Sequence, residues 1–143
     1  MSYAATETRS VVVEREIAHP PEKLWRALTQ PHLVEEWLMK NDFEPTVGHR
    51  FNLRGGWGGV LDCEVLTVEP HKTLAYTWNF KHDDPAFDLT SVVTFTLSPS
   101  GSGTHLRMEQ VGFRPDQKQA FGGAQAGWRE FLEKLDQVLE RLA

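Results

Sequence analysis

The chain has 143 residues, 20 of them acidic and 15 basic, for a formal net charge of −5. That balance speaks against nucleic acid and anionic membrane surfaces, both of which require a basic face. A chain of this length, 40% hydrophobic and 24% charged, can bury a core without disulfide or metal staples. Its single cysteine, Cys63, excludes an internal disulfide. No run approaches the roughly 20 apolar residues of a spanning helix. Residues 1–10 are small and polar rather than leader-like. The expectation is a cytoplasmic protein with a loose tail at 1–8 and one domain over 9–143.

A first strand is predicted over Arg9–Ile17, with Val11, Val13, Arg15 and Ile17 on one face and Val12, Glu14 and Glu16 on the other. Two short helices follow, Pro21–Leu28 and His32–Met39, each placed after a proline that can occupy the first helical turn. Strands are then expected at His49–Arg54, Val60–Val68, Thr73–Phe80, Leu89–Leu97 and Thr104–Val111. Gly55-Gly56-Trp57-Gly58-Gly59 reads as a hairpin connection, with Trp57 on a flap able to close over a pocket mouth. After Gly112-Phe113-Arg114-Pro115 the pattern turns helical, with Asp116 as the expected cap. Phe121, Ala124, Trp128, Leu132, Leu135, Leu139 and Leu142 form an apolar stripe, and Gly122-Gly123 is expected to weaken or kink the helix.

Hairpin steps make the sheet antiparallel, and its concave face is the surface on which the long helix can bury its stripe. The predicted class is therefore α+β, a helix-grip fold. A curved antiparallel sheet of about six strands wraps a long C-terminal helix, with two short helices after strand one. Trp25 is expected to anchor the core and Trp37 to face a cavity.

The segments Ile17-Ala18-His19-Pro20-Pro21-Glu22-Lys23-Leu24-Trp25-Arg26-Ala27-Leu28, Val68-Glu69-Pro70, Val93-Thr94-Phe95-Thr96-Leu97 and Gly127-Trp128 carry a resemblance. They resemble the START-like (SRPBCC) superfamily, in the branch named for homologues of the heat-shock protein 90 ATPase activator. The resemblance spans about residues 9–142. It implies binding of lipids, sterols, polyketides or similar metabolites, cyclase or hydrolase activity in some members, and a chaperone or stress-response role in others.

The residues themselves favour a small hydrophobic ligand, lipid-like, polyketide-like or aromatic, held between sheet and C-terminal helix. A pocket of this kind is largely apolar with a few polar groups. The candidate lining is Trp37, Phe51, Trp57, Tyr76, Trp78, Phe95, Met108, Gln110, Phe121, Gln125 and Trp128. The alternatives are a cyclase or hydrolase using Tyr76, Arg15, Asp62 or Glu64 as acid or base, and an interaction module with a protein partner. No catalytic motif, metal-ligand spacing or cofactor signature is present, so no cofactor is expected. The six histidines form no His-x-x-x-His pair, His82-Asp83-Asp84 reads as a solvated loop, and Cys63 reads as a packed thiol. Arg15, if its face is the inner one, needs a partner, an internal carboxylate such as Asp62 or Glu64 or an acidic ligand.

Overall fold

The alternation in Arg9–Ile17 becomes strand β1, with Val11 and Ile17 buried and Val12, Glu14 and Glu16 exposed. The computed structural model describes residues 8–56 and 58–142. Helices α1 (Pro21–Thr29) and α2 (Pro31–Trp37) follow, each with a proline in its first turn. Next come β2 (Lys40–Asn41), β3 (Arg50–Arg54), β4 (Val60–Glu69) and β5 (Thr73–Phe80). A 3-10 turn at Pro85–Phe87 leads into β6 (Leu89–Ser100), β7 (Gly103–Phe113) and the long helix α3 (Lys118–Arg141).

All seven strands belong to one antiparallel sheet in the order β1-β7-β6-β5-β4-β3-β2. The fold is the α+β helix grip, with one strand more than expected. The addition is β2, whose two residues are too short to show an alternating pattern. The core lies between the sheet and the helices, with Leu132, Leu135, Val138 and Leu139 of α3 packed with Leu24, Leu28, Leu33 and Val34 of α1 and α2 in a single cluster.

Three polar contacts fix the C-terminal half of α3. Arg15 Nη2 lies 3.0 Å from Asp136 Oδ2, His19 3.3 Å from Glu140, and Arg141 3.0 Å from Glu36. Arg15 is thus on the helix-facing side, but its partner is Asp136 rather than Asp62 or Glu64. The strand order explains this, since β7, β6 and β5 lie between β1 and the β4 strand that carries both expected partners.

One local expectation is corrected. Asp116 does not cap α3; it lies 3.4 Å from Arg114 Nε, and Gln117 occupies the cap position. Gly122-Gly123 lies within α3, which runs from Lys118 to Arg141. A different glycine is required by its backbone: Gly112 has φ +133°, and a Cβ there would lie 2.3 Å from the Thr90 carbonyl oxygen. No helix among the described residues is long and apolar enough to cross a membrane.

Candidate functional site

Ala120, Gly123, Ala124 and Gly127 recur at i, i+3, i+4 and i+7 and so share one face of α3. That face looks onto Trp78 of β5, Leu89 at the start of β6, and Gln110 and Phe113 of β7. The small side chains do not fill the distance to the sheet, and a cavity of about 250 Å³ remains. A Cβ added at Gly123 or Gly127 would meet nothing within 4 Å. Trp128 and Phe131, 5.4 Å apart between ring centroids, complete the wall.

The polar atoms of this wall are tied to one another. Trp128 Nε1 donates to Gln110 Oε1 at 2.7 Å, and Gln110 Nε2 donates to Ser91 Oγ at 3.0 Å. Ser91 Oγ in turn donates to the Trp78 carbonyl at 2.5 Å. Among the described residues no buried side-chain nitrogen or oxygen lacks a partner. The chain of bonds crosses from α3 through β7 and β6 to β5, so it holds the cavity wall in one arrangement. The lining is aromatic, aliphatic and glycine, with one carboxamide.

Beside the cavity runs the exposed segment 81–88, which is held by polar contacts. The Arg114 guanidinium donates to the carbonyls of Ala86 (3.1 Å), Asp88 (3.4 Å) and Pro85 (3.5 Å). Gln117 Nε2 donates to the Asp88 carbonyl at 2.7 Å. Within the segment, His82 Nδ1 accepts from the Asp84 N–H, and Asp84 Oδ1 from Ala86 N–H. Among the described residues no group of three or more potential ligands could hold a metal.

Of the side chains expected to line a cavity, Trp78, Gln110 and Trp128 meet there. Trp37, Phe51, Tyr76, Phe95 and Met108 are instead packed core. Phe51 lies 5.2 Å from Tyr76, and Phe95 6.1 Å from both Tyr76 and Trp37, between ring centroids. Met108 is fully buried opposite Phe95 in the β6–β7 register. Phe121 is half-buried between Phe113 and Arg9, whose guanidinium sits 4.2 Å above its ring. Gln125 is exposed, because it lies beyond the edge of the small-residue face on α3. Trp57 lies outside the described residues.

Trp37 does not face the cavity and is the more deeply enclosed of the two tryptophans, while Trp25 packs against the core from its margin. Trp37 is 1% exposed, and its Nε1 donates to the Ala27 carbonyl at 2.9 Å. Trp25 is only partly buried and meets His71 edge-on at 6.2 Å. The proline break at Pro31 turns α2 so that Trp37 points back under α1, which the helical spacing of α1 alone does not reveal.

The side chains considered for acid–base chemistry are elsewhere. Asp62 accepts from Asn52 Nδ2 at 2.8 Å, and Glu64 lies 3.5 Å from Arg50 Nε. Both border a separate cleft of about 370 Å³. They alternate with buried Cys63 and therefore occupy the sheet face turned away from α3. Burial, with a smaller effect from Cys63, pushes the Tyr76 hydroxyl well above its ordinary pKa, so it stays protonated. Burial, then Asp62 and Asp42, push the Cys63 thiol up to about 12, which removes it as a nucleophile near neutral pH.

The missed lining residues are Leu89, Phe113, Ala120, Gly123, Ala124, Gly127 and Phe131. A signal for four of them was present in the sequence. Small residues at helical spacing vacate volume beneath a helix, whereas the glycine pair alone reads as a helix defect.

No curated protein matches this chain. Among solved structures, protein MLL2253 from Mesorhizobium loti is 75% identical, with a TM-score of 0.91 over 93% of this chain and 98% of that one. DynU16, described as a putative protein in the dynemicin biosynthetic locus, is 27% identical with a TM-score of 0.79. The match covers 92% of this chain but 47% of DynU16. The Aha1 dimer from Colwellia psychrerythraea is 22% identical with a TM-score of 0.78 over 92% of this chain and 96% of that one, a likeness of fold. Residues 18–140 match the family described as Activator of Hsp90 ATPase homolog 1-like protein, and the chain belongs to that family.

Proposed function

We propose that the protein binds a small, planar, largely apolar molecule in the cavity between the first half of α3 and the sheet. The observation that carries this reading is an aromatic-walled cavity whose polar atoms already satisfy one another. Protein interiors are otherwise close-packed, and here glycines and alanines keep a helix face clear. At about 250 Å³ the cavity lies just below the range of roughly 300–1,000 Å³ usual for drug-sized ligands. A fused aromatic or short polyketide-like compound fits better than a long acyl chain. The biosynthetic locus stated for DynU16 is in keeping with a small-molecule ligand.

Binding is favoured over catalysis by the lining. General acid–base chemistry needs a titratable group within reach of the substrate, and the lining side chains supply a carboxamide and indoles instead. The test is native mass spectrometry of freshly purified protein, with a thermal-shift panel of flavonoids, aromatic polyketides and lipids. A ligand raising the midpoint of the wild type but not of Gly123→Leu supports the cavity. Equal shifts in both proteins, or no shift across the panel, overturn it.

A further inference from the structure

Strand β3 presents Arg50, Asn52 and Arg54 on its outer face, because Phe51 and Leu53 are buried. Toward β4, the register sets Arg50 opposite Glu64 and Asn52 opposite Asp62, and both pairs are made, at 3.5 and 2.8 Å. The complementarity stops at Arg54. Its β4 partner is Val60, itself 47% exposed, and its partner on the other side is Lys40 of β2. Two cations thus stand directly opposite each other, an arrangement that destabilises a strand pair. Among the described residues neither makes an ion pair, in a chain with 20 acidic residues to 15 basic.

Lys40 and Arg54 border a cleft of about 530 Å³. Leu38 and Met39 give it an apolar wall, and Gly56 opens its rim, where an added Cβ would meet nothing within 4 Å. Glu35 also borders the cleft, leaving one net positive charge. We propose that this cleft binds the oxyanion of a small amphipathic acid, a carboxylate or a phosphate monoester. Lys40 and Arg54 donate jointly to the oxyanion, and Leu38 and Met39 carry the apolar part. Arginine offers a planar fork and lysine a compact charge, and an oxyanion between them replaces mutual repulsion with charge-assisted hydrogen bonds. This site is independent of the cavity under α3, with which it shares no lining residue.

The experiment titrates the full chain with octyl phosphate, and separately with inorganic phosphate, following the Gly55 and Gly56 amide signals by NMR. Octyl phosphate is expected to bind more tightly than phosphate, and more weakly as salt rises. Lys40→Gln and Arg54→Gln should each weaken octyl phosphate by about tenfold or more. Glu35→Gln should tighten it. Lys40→Glu places a carboxylate opposite Arg54, and should abolish binding while the thermal midpoint holds or rises. Gly123→Leu should leave binding unchanged. Absence of any shift at millimolar octyl phosphate, binding retained in Lys40→Glu, or binding lost in Gly123→Leu would each overturn the proposal.

Discussion

Trp128 on α3 and Gln110 on β7 are joined by a 2.7 Å hydrogen bond from indole N–H to amide oxygen, buried at the edge of the cavity. It is a link between helix and sheet made at the point where side-chain packing gives way to open volume. Gln110→Leu removes the acceptor of Trp128 and the donor to Ser91 together. It should cost about 1–3 kcal/mol in urea denaturation, the usual penalty for buried groups left unpaired. Ligand binding should weaken as well, since the Trp128 ring loses its tether.

Gly123→Leu separates stability from binding. Glycine is a poor helix residue, by up to about 1 kcal/mol relative to alanine, and the space above Gly123 is open. The variant should melt at the wild-type temperature or higher, by differential scanning calorimetry, while losing affinity for any ligand of the inner cavity.

Trp37→Ala and Trp25→Ala should differ in stability. Trp37 is fully enclosed and satisfies the Ala27 carbonyl, so its loss should cost about 3–5 kcal/mol. Trp25 retains solvent contact, and its truncation should cost about 1 kcal/mol. Equal losses by chemical denaturation would contradict this ordering.

On the outer face of β1 and β7, His105 bridges two carboxylates: Nε2 lies 2.7 Å from Glu14, and Nδ1 contacts Glu16, which also accepts from Ser100. The hydrogen bond to Glu14, then that to Glu16, raises the His105 pKa; the bond to His105, then that to Ser100, lowers that of Glu16. The histidine contribution is complete below its ordinary value of 6.5 and is lost as pH rises through its raised pKa. The Glu16 contribution is complete above 4.5 and is lost as pH falls through its lowered pKa. Both are therefore present between 4.5 and 6.5. His105→Gln should flatten the thermal midpoint across that window relative to its flanks, with a small amplitude because the cluster is solvated.

The strands were legible because alternation is local: Arg9–Ile17 and Thr73–Phe80 run as their patterns indicate. The late strands run longer than their patterns, since Ser98 to Ser100 keep pairing after the apolar alternation ends, and Phe113 pairs with Arg9 across a register shift at Gly112. The cavity was only partly legible. Trp78, Gln110 and Trp128 declare themselves as amphipathic side chains on inward positions, but Tyr76 and Phe95 occupy inward positions too and are packed solid. What distinguishes them is the set of rings packed against them, Phe43 and Phe51 on Tyr76 and Trp37 on Phe95, contacts between elements far apart in the chain. The same holds for Arg15, whose inward face was readable while its partner, Asp136, lies 121 residues away.

One helix, α3, carries two unlike interfaces. From Trp128 onward it is bolted down by leucines and by Asp136, Glu140 and Arg141. Before Trp128 it rests on empty space, steadied at its start by Gln117 and by Phe121 under Arg9. Amide hydrogen exchange should therefore step along a single rod, fast over 118–127 and slow over 128–139. A molecule seated beneath the helix would supply the missing support, and the size of that step would record its occupancy without any label on the ligand.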